Sequence, residues 1–315
     1  MNSLSNGDSR SLDDAPFHGF LALATAKSFG DFVIAHSVLH RIDAAARNRL
    51  RLIANSHVRE LNAILPDDVC VTLVESEAAH VPALFDIKKR GAVAAVRSAL
   101  SLRREFRKIS RRDSEALMFA GFGVRERFIA GRWPVLAPRQ AARNIYETYF
   151  ELLAEHGVKL TLPFAPMSNG KARSVGVFPE SRLLEKRLND TTLTMVSDRA
   201  KAAGLEVRLF ILEGDLAAER LKHPMTRIPR NFESLAAAIK SVDCVLSADS
   251  LPAHLAEYFD RPTFVALPAA NEYWMPFGCF VEKRWGVFAD RHEFYIALDE
   301  FFAVAADCSR PSTGR

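Results

Sequence analysis

The chain has 315 residues, 49% hydrophobic and 25% charged, and a net charge of +4. That is the composition of a soluble globular protein long enough for two ordinary domains, and the charge is too slight by itself to argue for nucleic acid. No apolar run approaches the ~18 residues of a membrane span, and Cys70, Cys244, Cys279 and Cys308 form no CxxC pair, so reduced cytosolic thiols are expected rather than disulfides or a zinc site.

Residues 1–16 are polar and acidic-leaning, unlike a signal peptide, and predict a disordered tail. A first domain is expected over 17–163. Phe20 to Ala24 reads as a strand, Lys27 to Asp31 as a turn, and Phe32 to Ile42 as a helix through Val33, Ile34, Val38 and Ile42. Arg51 to Asn55 and Val69 to Val74 read as further strands, with Ser56 to Leu65 helical between them; this alternation predicts a doubly wound parallel sheet.

Ala92 to Ile109 reads as an apolar-basic helix. Val93, Val96, Leu100 and Phe106 form an expected stripe, with Arg97, Arg103, Arg104, Arg107 and Lys108 over much of the rest. Lys88, Lys89, Arg90, Arg111 and Arg112 extend the cluster. Such a segment suits anionic lipid or an acidic ligand, and equally a solvated face; RNA is disfavoured because no aromatic stacking motif accompanies the arginines. Gly121-Phe122-Gly123 begins a dinucleotide fingerprint, but Glu126 stands at the third small position and disfavours a Rossmann dehydrogenase. Arg143 to His156 predicts a helix ended by Gly157, Lys159 to Pro163 a strand, and 164–173 a linker.

A second domain is expected over 174–291. Ser174 to Phe178 is a strand, followed by Pro179 and the basic pair Lys186-Arg187; Thr194 to Ala203 is a helix and Glu206 to Leu212 a strand. In the stretch from Asn231 to Ala270, Leu235, Ile239 and Val242 share a helical face, Cys244 to Leu246 is a buried strand, and Asp249-Ser250 a turn with Ser250 as N-cap. Pro252 sits in the first turn of a helix over Ala253 to Tyr258, and Thr263 to Leu267 is the next strand. A strand running into a helix N-terminus presents N–H groups and a positive dipole end to anions, phosphates especially; an ordinary capped strand-turn-helix has the same pattern. Residues 292–307 read as a terminal helix.

Three of these junctions, in order, resemble the heptosyltransferase-like glycosyltransferases (glycosyltransferase family nine). Ser28-Phe29-Gly30-Asp31 matches their Ser-x-Gly-Asp after the first strand, Lys186-Arg187 their basic pair, and Asp249-Ser250-Leu251-Pro252-Ala253-His254 with Arg261-Pro262-Thr263 their Asp-Ser/Thr-Gly-x-x-His turn and Pro-Thr strand. Leu251 replaces the family's glycine and would be strained if that position required a positive φ. Glu180-Ser181, Leu188-Asn189 and Pro268-Ala269-Ala270 also depart from the pattern.

The resemblance implies a GT-B architecture: two facing Rossmann-like α/β domains with parallel sheets, flanking helices and a C-terminal helix crossing back to the first. It implies an inverting, metal-independent transfer of a sugar, a heptose from an ADP donor among the candidates, to a lipopolysaccharide or other bacterial surface saccharide. Asp31 would be the base. Ser28, Gly30, Lys186, Arg187, Asp249, Ser250, Leu251 and His254 would hold the nucleotide-sugar donor, and Arg103, Arg104, Arg107 and Lys108 an acidic or lipid-linked acceptor. No cofactor, metal or nucleic acid is implied, and the location would be cytoplasmic, on the inner face of the membrane. Bland alternatives stand beside each role. Asp31 suits a helix N-terminus through the dipole, Lys186 an exposed position, Asp249 a turn, and His254 a buried site bonding backbone. A non-catalytic nucleotide- or saccharide-binding relative, or a nucleotide-sugar epimerase or hydrolase, are the rival functions.

Overall fold

The computed structural model describes residues 20–25, 28–75, 91–109, 115–120, 126, 130–131, 133–138, 142–158, 172–215 and 221–306. The expected N-terminal tail, Lys27, the basic residues 88–90 and 111–112, Gly121 to Gly123, the strand 159–163, the linker 164–171 and the tail after Cys308 lie outside them.

Two parallel sheets organise the chain. The first has the order β3-β2-β1-β4-β5, from β1 (Phe20–Thr25), β2 (Leu50–Asn55), β3 (Val71–Val74), β4 (Glu115–Met118) and β5 (Val135–Leu136). The second has the order β11-β10-β9-β6-β7-β8, from β6 (Ser174–Phe178), β7 (Glu206–Leu212), β8 (Thr226–Ile228), β9 (Cys244–Ala248), β10 (Thr263–Leu267) and β11 (Trp285–Val287). All the ladders are parallel, with Leu23 opposite Leu52 and Met118, and Val177 opposite Leu209 and Leu246. In both sheets the chain starts in the middle, winds outward, then returns to the other side. The strand order therefore reverses between β1 and β4 and between β6 and β9, where open α/β sheets hold their ligands.

β6, β9 and β10 are buried at every position, as strands covered on both faces must be. Gly176 in β6 has no room for a side chain: a Cβ there would stand 2.8 Å from Val242 Cγ2. One core layer is shared by both sheets. Helices α1 (Phe29–His40) and α5 (Ile145–Glu155) on the first side bury Phe32, Leu39, Tyr149 and Leu152 in the same cluster as Leu235 and Ile239 of α7 (Phe232–Lys240) and Leu255 and Tyr258 of α8 (Leu251–Tyr258). Each such side chain contributes roughly 1.5–3 kcal/mol when fully buried, so the two units are joined by a true core. The outer face of the second sheet is covered by α6 (Asp190–Ala202) and α10 (Arg291–Ala306). The end of α10 returns to the entry of the second unit, where Ala305 O accepts from Ala172 N at 3.0 Å.

Further helices among the described residues are α2 (Ala44–Arg47), α3 (Arg59–Ala63), α4 (Ala92–Ile109) and α9 (Phe277–Val281). The predicted helix over Ser56 to Leu65 is a 3-10 turn at Ser56–Val58 followed by the short α3, and α5 ends at Gly157 with φ 74°, as glycine at C′ should. The stripe expected along α4 splits. Phe106 is buried against Trp133, ring centroids 6.1 Å apart, whereas Val93, Val96 and Leu100 are 76%, 56% and 43% exposed. At 100° per residue Phe106 lies about 140°, 80° and 120° round the helix from Val93, Val96 and Leu100, so the face that docks Phe106 leaves the other three outside it.

Candidate functional site

The reversal in the second sheet brings two predicted residues together. After β6 the chain closes a loop, with Leu188 N–H donating to Pro179 O at 3.0 Å, and a 3-10 turn at Leu184–Lys186 aims Lys186 across the switch point. After β9 it reaches Asp249. Lys186 Nζ meets Asp249 Oδ2 at 2.6 Å, the side chains 26% and 13% exposed. Arg187, beside it, turns away: Nη1 binds Asp215 Oδ1 at 2.7 Å after β7, and Nε donates to Ser181 O at 2.8 Å.

Helix α8 begins at Leu251, two residues before the expected start, with Ser250 as N-cap. The serine does not cap through its side chain as predicted; Oγ donates back to Ala248 O at 3.3 Å. The first turn thus lacks a side-chain acceptor from its own cap, which is the condition for receiving an external anion. Leu251 is the first helical residue, and the non-glycine residues of positive φ among those described are Asp260 and Lys283. The strain expected at Leu251 is absent, because a helical position places no demand for glycine.

His254, one turn along α8, is 6% exposed. Nδ1 lies 3.4 Å from Tyr146 Oη of α5, and the ring also bonds the Trp274 backbone. Burial, with the Lys186 charge added, lowers its pKa to about 4 against the pull of Asp249. It is a neutral, buried, bonded histidine, the plainer of its two expected states.

In the first sheet the expected turn at Lys27 to Asp31 is mostly helix. α1 starts at Phe29 with Ser28 as N-cap, so Gly30 and Asp31 occupy its first turn. Ser28 Oγ accepts from Asp31 N–H at 3.3 Å and donates to Asp31 Oδ2 at 3.0 Å, a reciprocal cap that fixes the carboxylate. A Cβ at Gly30 would have Ser28 Oγ, 3.8 Å away, as its nearest neighbour; the fold does not require glycine there. Phe29 packs on His57 of its own side and edge-on to Phe232 of α7, centroids 5.2 and 4.9 Å away.

The contacts between α1 and α8 climb together. Tyr258 Oη meets His36 Nδ1 at 2.9 Å, His40 stacks on Tyr258, and Arg41 pairs with Asp260 at 2.6 Å. Their N-terminal turns, one carrying Asp31 and the other following Asp249, therefore lie at the same end of the helix pair. Of the α4 cations, Arg104 and Arg107 are exposed, Lys108 binds Glu105 of its own helix at 2.6 Å, and Arg103 is half-buried with its guanidinium beside Gly131.

Two acids near the site escaped the sequence. Glu180, two residues after the end of β6, accepts from Leu212 N–H at 3.0 Å through Oε2, while Oε1 is buried without a hydrogen-bond partner. Burial raises its pKa to about 7, with Asp215 adding and the Leu212 amide, Arg230 and Arg187 opposing. Glu257 accepts from Phe277 N–H at 2.7 Å and Gly278 N–H at 2.5 Å, capping α9; burial raises it to about 7 against Arg284 and those amides. An acid in an unremarkable loop or late in an apolar helix carries no local signal of either role. Among the described residues no group of three His, Cys, Asp or Glu side chains is arranged to hold a metal, and no helix is long and apolar enough to cross a membrane.

No protein-family model and no curated protein sequence matches the chain. Solved structures do. A family 9 glycosyl transferase from Veillonella parvula superposes with a TM-score of 0.58 at 13% identity, over 84% of this chain and 85% of that one. The E. coli ADP-heptose lps heptosyltransferase II gives 0.55 at 14%, over 90% and 98%, and E. coli heptosyltransferase WaaC with ADP gives 0.52 at 12%, over 78% and 86%. The chain has the GT-B fold of these enzymes.

Proposed function

We propose that the chain is an inverting glycosyltransferase whose donor is a nucleoside diphosphate sugar, an ADP-linked heptose being the first candidate. The observation that carries this reading is the Lys186–Asp249 pair at the β6/β9 switch point, beside the first turn of α8 and at the same end of the α1/α8 pair as Asp31. The second unit, residues 174–291, would hold the donor and the first, 17–163, the acceptor, with 164–173 between them.

In this mechanism the donor diphosphate lies against the N-terminal turn of α8, with Ser250, Leu251 and the Lys186 ammonium around it. Asp249 holds that ammonium until a phosphate takes it. Asp31, its carboxylate steadied by Ser28, accepts the proton of the acceptor hydroxyl. The hydroxyl oxygen bonds to the anomeric carbon as the bond from that carbon to the diphosphate oxygen breaks, on the opposite face, so the configuration inverts. The leaving nucleoside diphosphate carries the electron pair, and Lys186 with the helix dipole favours that charge as it develops. A metal is not required for that step, because these groups supply the positive field. His254 acts behind the phosphate turn, and Arg187, tied to Asp215 and Ser181 O, steadies the loop that carries Lys186.

The acceptor in this reading is an acidic or lipid-linked saccharide, and α4 serves the lipid side from the cytoplasmic face. Its exposed Val93, Val96 and Leu100 share a face with Arg97, Arg104 and Arg107, the combination that rests at an anionic interface. Calorimetric titration with ADP, UDP, GDP and CMP, without metal, tests the donor half: selective binding of one nucleotide is expected, and binding of none would overturn it.

A further inference from the structure

Helix α5 starts at a buried polar residue with every side-chain bond committed. Asn144 is fully excluded from solvent; Oδ1 accepts from Tyr146 N–H at 2.9 Å, and Nδ2 donates to Glu272 O at 2.9 Å and Met275 O at 3.0 Å. Ile145 N–H adds a bond to Tyr273 O at 2.8 Å. Three carbonyls of the 272–275 segment, which follows β10 in the second unit, are thus held by the first turn of a helix belonging to the first. The same segment bonds His254 through the Trp274 backbone, and His254 faces Tyr146 Oη of α5. The contacts close into a ring: α5 to 272–275, to His254 behind the phosphate turn, and back to α5.

One turn further along α5, on the face of Tyr146, lies Tyr149. It too is buried, and its phenol is pushed well up, first by burial and next by the charge of Asp31. Tyr149 also shares one core cluster with Phe32, the neighbour of Asp31 on α1, so residues three apart on one helix pack into the surroundings of both halves of the cleft.

We propose that α5 is the spacer that sets the distance between the phosphate turn of α8 and Asp31, with Asn144 and Tyr146 as positioning residues that touch no substrate. This rests on the reading of the cleft as a sugar-transfer site. The reacting groups come from separate sheets, and an in-line displacement tolerates little error in their separation. Apolar packing alone permits small slides between helices. A fully satisfied buried polar ring does not, because every slide leaves a carbonyl or an imidazole nitrogen unpaired in a dry interior.

Two variants test this in the full-length chain. Tyr146→Phe keeps the ring and removes the hydroxyl facing His254. Asn144→Asp keeps an N-cap acceptor for Tyr146 N–H but turns the donor to Glu272 O and Met275 O into a second acceptor, which separates capping from bracing. Amide hydrogen exchange is followed on the free proteins, then ADP affinity and transfer rate. The expected result is faster exchange confined to residues 250–258 and 272–278 with α6 unchanged. ADP affinity should weaken about tenfold, and kcat should fall further than the acceptor KM changes. Unchanged exchange in both variants, or exchange raised evenly through the chain, overturns the spacer. Nucleotide binding by wild type with unperturbed binding and turnover in the variants also overturns it while leaving the site reading intact. Failure of wild type to bind any nucleotide overturns the site reading, and with it the catalytic meaning of the ring.

Discussion

Replacing Lys186 by alanine separates two jobs that its ammonium can have. In the free protein Nζ stands 2.6 Å from Asp249 Oδ2, the side chains 26% and 13% exposed. An exposed pair is worth about 0–1 kcal/mol, whereas stripping the partner from a buried one costs about 3–5 kcal/mol. Partial exposure places this pair between them, at about 1–2 kcal/mol, and each kcal/mol lowers the melting temperature by about 2–4 °C for a chain of this scale. If the ammonium also binds the donor diphosphate, the variant loses a charge-assisted hydrogen bond of about 1.5–3 kcal/mol, or about 10- to 150-fold in Kd. The two effects are read separately, by thermal melting and by calorimetric titration of ADP at a temperature where both proteins are folded. A lowered melting temperature with an ADP Kd within twofold of wild type would make the pair a structural tie and refute the donor role.

Asp31→Asn should leave ADP affinity unchanged and lower the transfer rate by about 10²–10⁴, the usual worth of a general base; a fully active variant would remove Asp31 from the chemistry. Stability should respond to pH through two opposed pairs. Glu180 and Glu257, raised to about 7 chiefly by burial, make the folded chain bind more protons than the unfolded one between about pH 4.5 and 7, so their contribution is present at the acid end and is lost as pH rises through 7. His36 and His254, lowered to about 4 chiefly by burial, contribute above pH 6.5 and lose that contribution as pH falls through 4. The pairs offset below 6.5, and between about 6.5 and 7 only the glutamates act. Glu257→Gln, which cannot ionise, should therefore gain on wild type as pH rises from 5 to 8, by up to roughly 3 kcal/mol at 1.36 kcal/mol per pH unit. Urea unfolding at each pH checks this, and a difference that stays constant with pH would refute a titrating Glu257. For α4, reversing Arg104 and Arg107 to glutamate should abolish co-sedimentation with vesicles containing anionic lipid and leave melting unchanged, since both side chains are exposed; undiminished binding would rule out this face.

The strands and helices of this chain were legible because each is written in its own few residues. Thr263–Leu267 is an apolar run between a proline-marked turn and a loop, and it forms β10 with the expected bounds. Ala92–Ile109 likewise forms α4 as read. The alternation of such runs implied a doubly wound parallel sheet, and the resemblance a second one; the strand order, and with it the reversal points beside which Asp31, Lys186 and Asp249 sit, came from the structure. Capping was less legible. Ser28 and Ser250 occupy the same kind of position, yet Ser28 bonds its helix and Ser250 does not, because a short hydroxyl chooses among nearby acceptors according to how the preceding strand delivers it.

What only the tertiary structure decided is which distant side chains meet and which face of a helix is covered. Lys186 and Asp249 are separated by 63 residues, Tyr146 and His254 by 108, and Asn144 reaches Met275 across 131. Along α4 the sequence shows apolar residues without saying which will dock; Phe106 is buried and Val93 is exposed because Trp133 lies on one side only. A period of 2 or 3.6 residues is a local property that a sequence carries by itself. A contact between elements depends on the angle and distance at which they pack, and those come from the whole core at once.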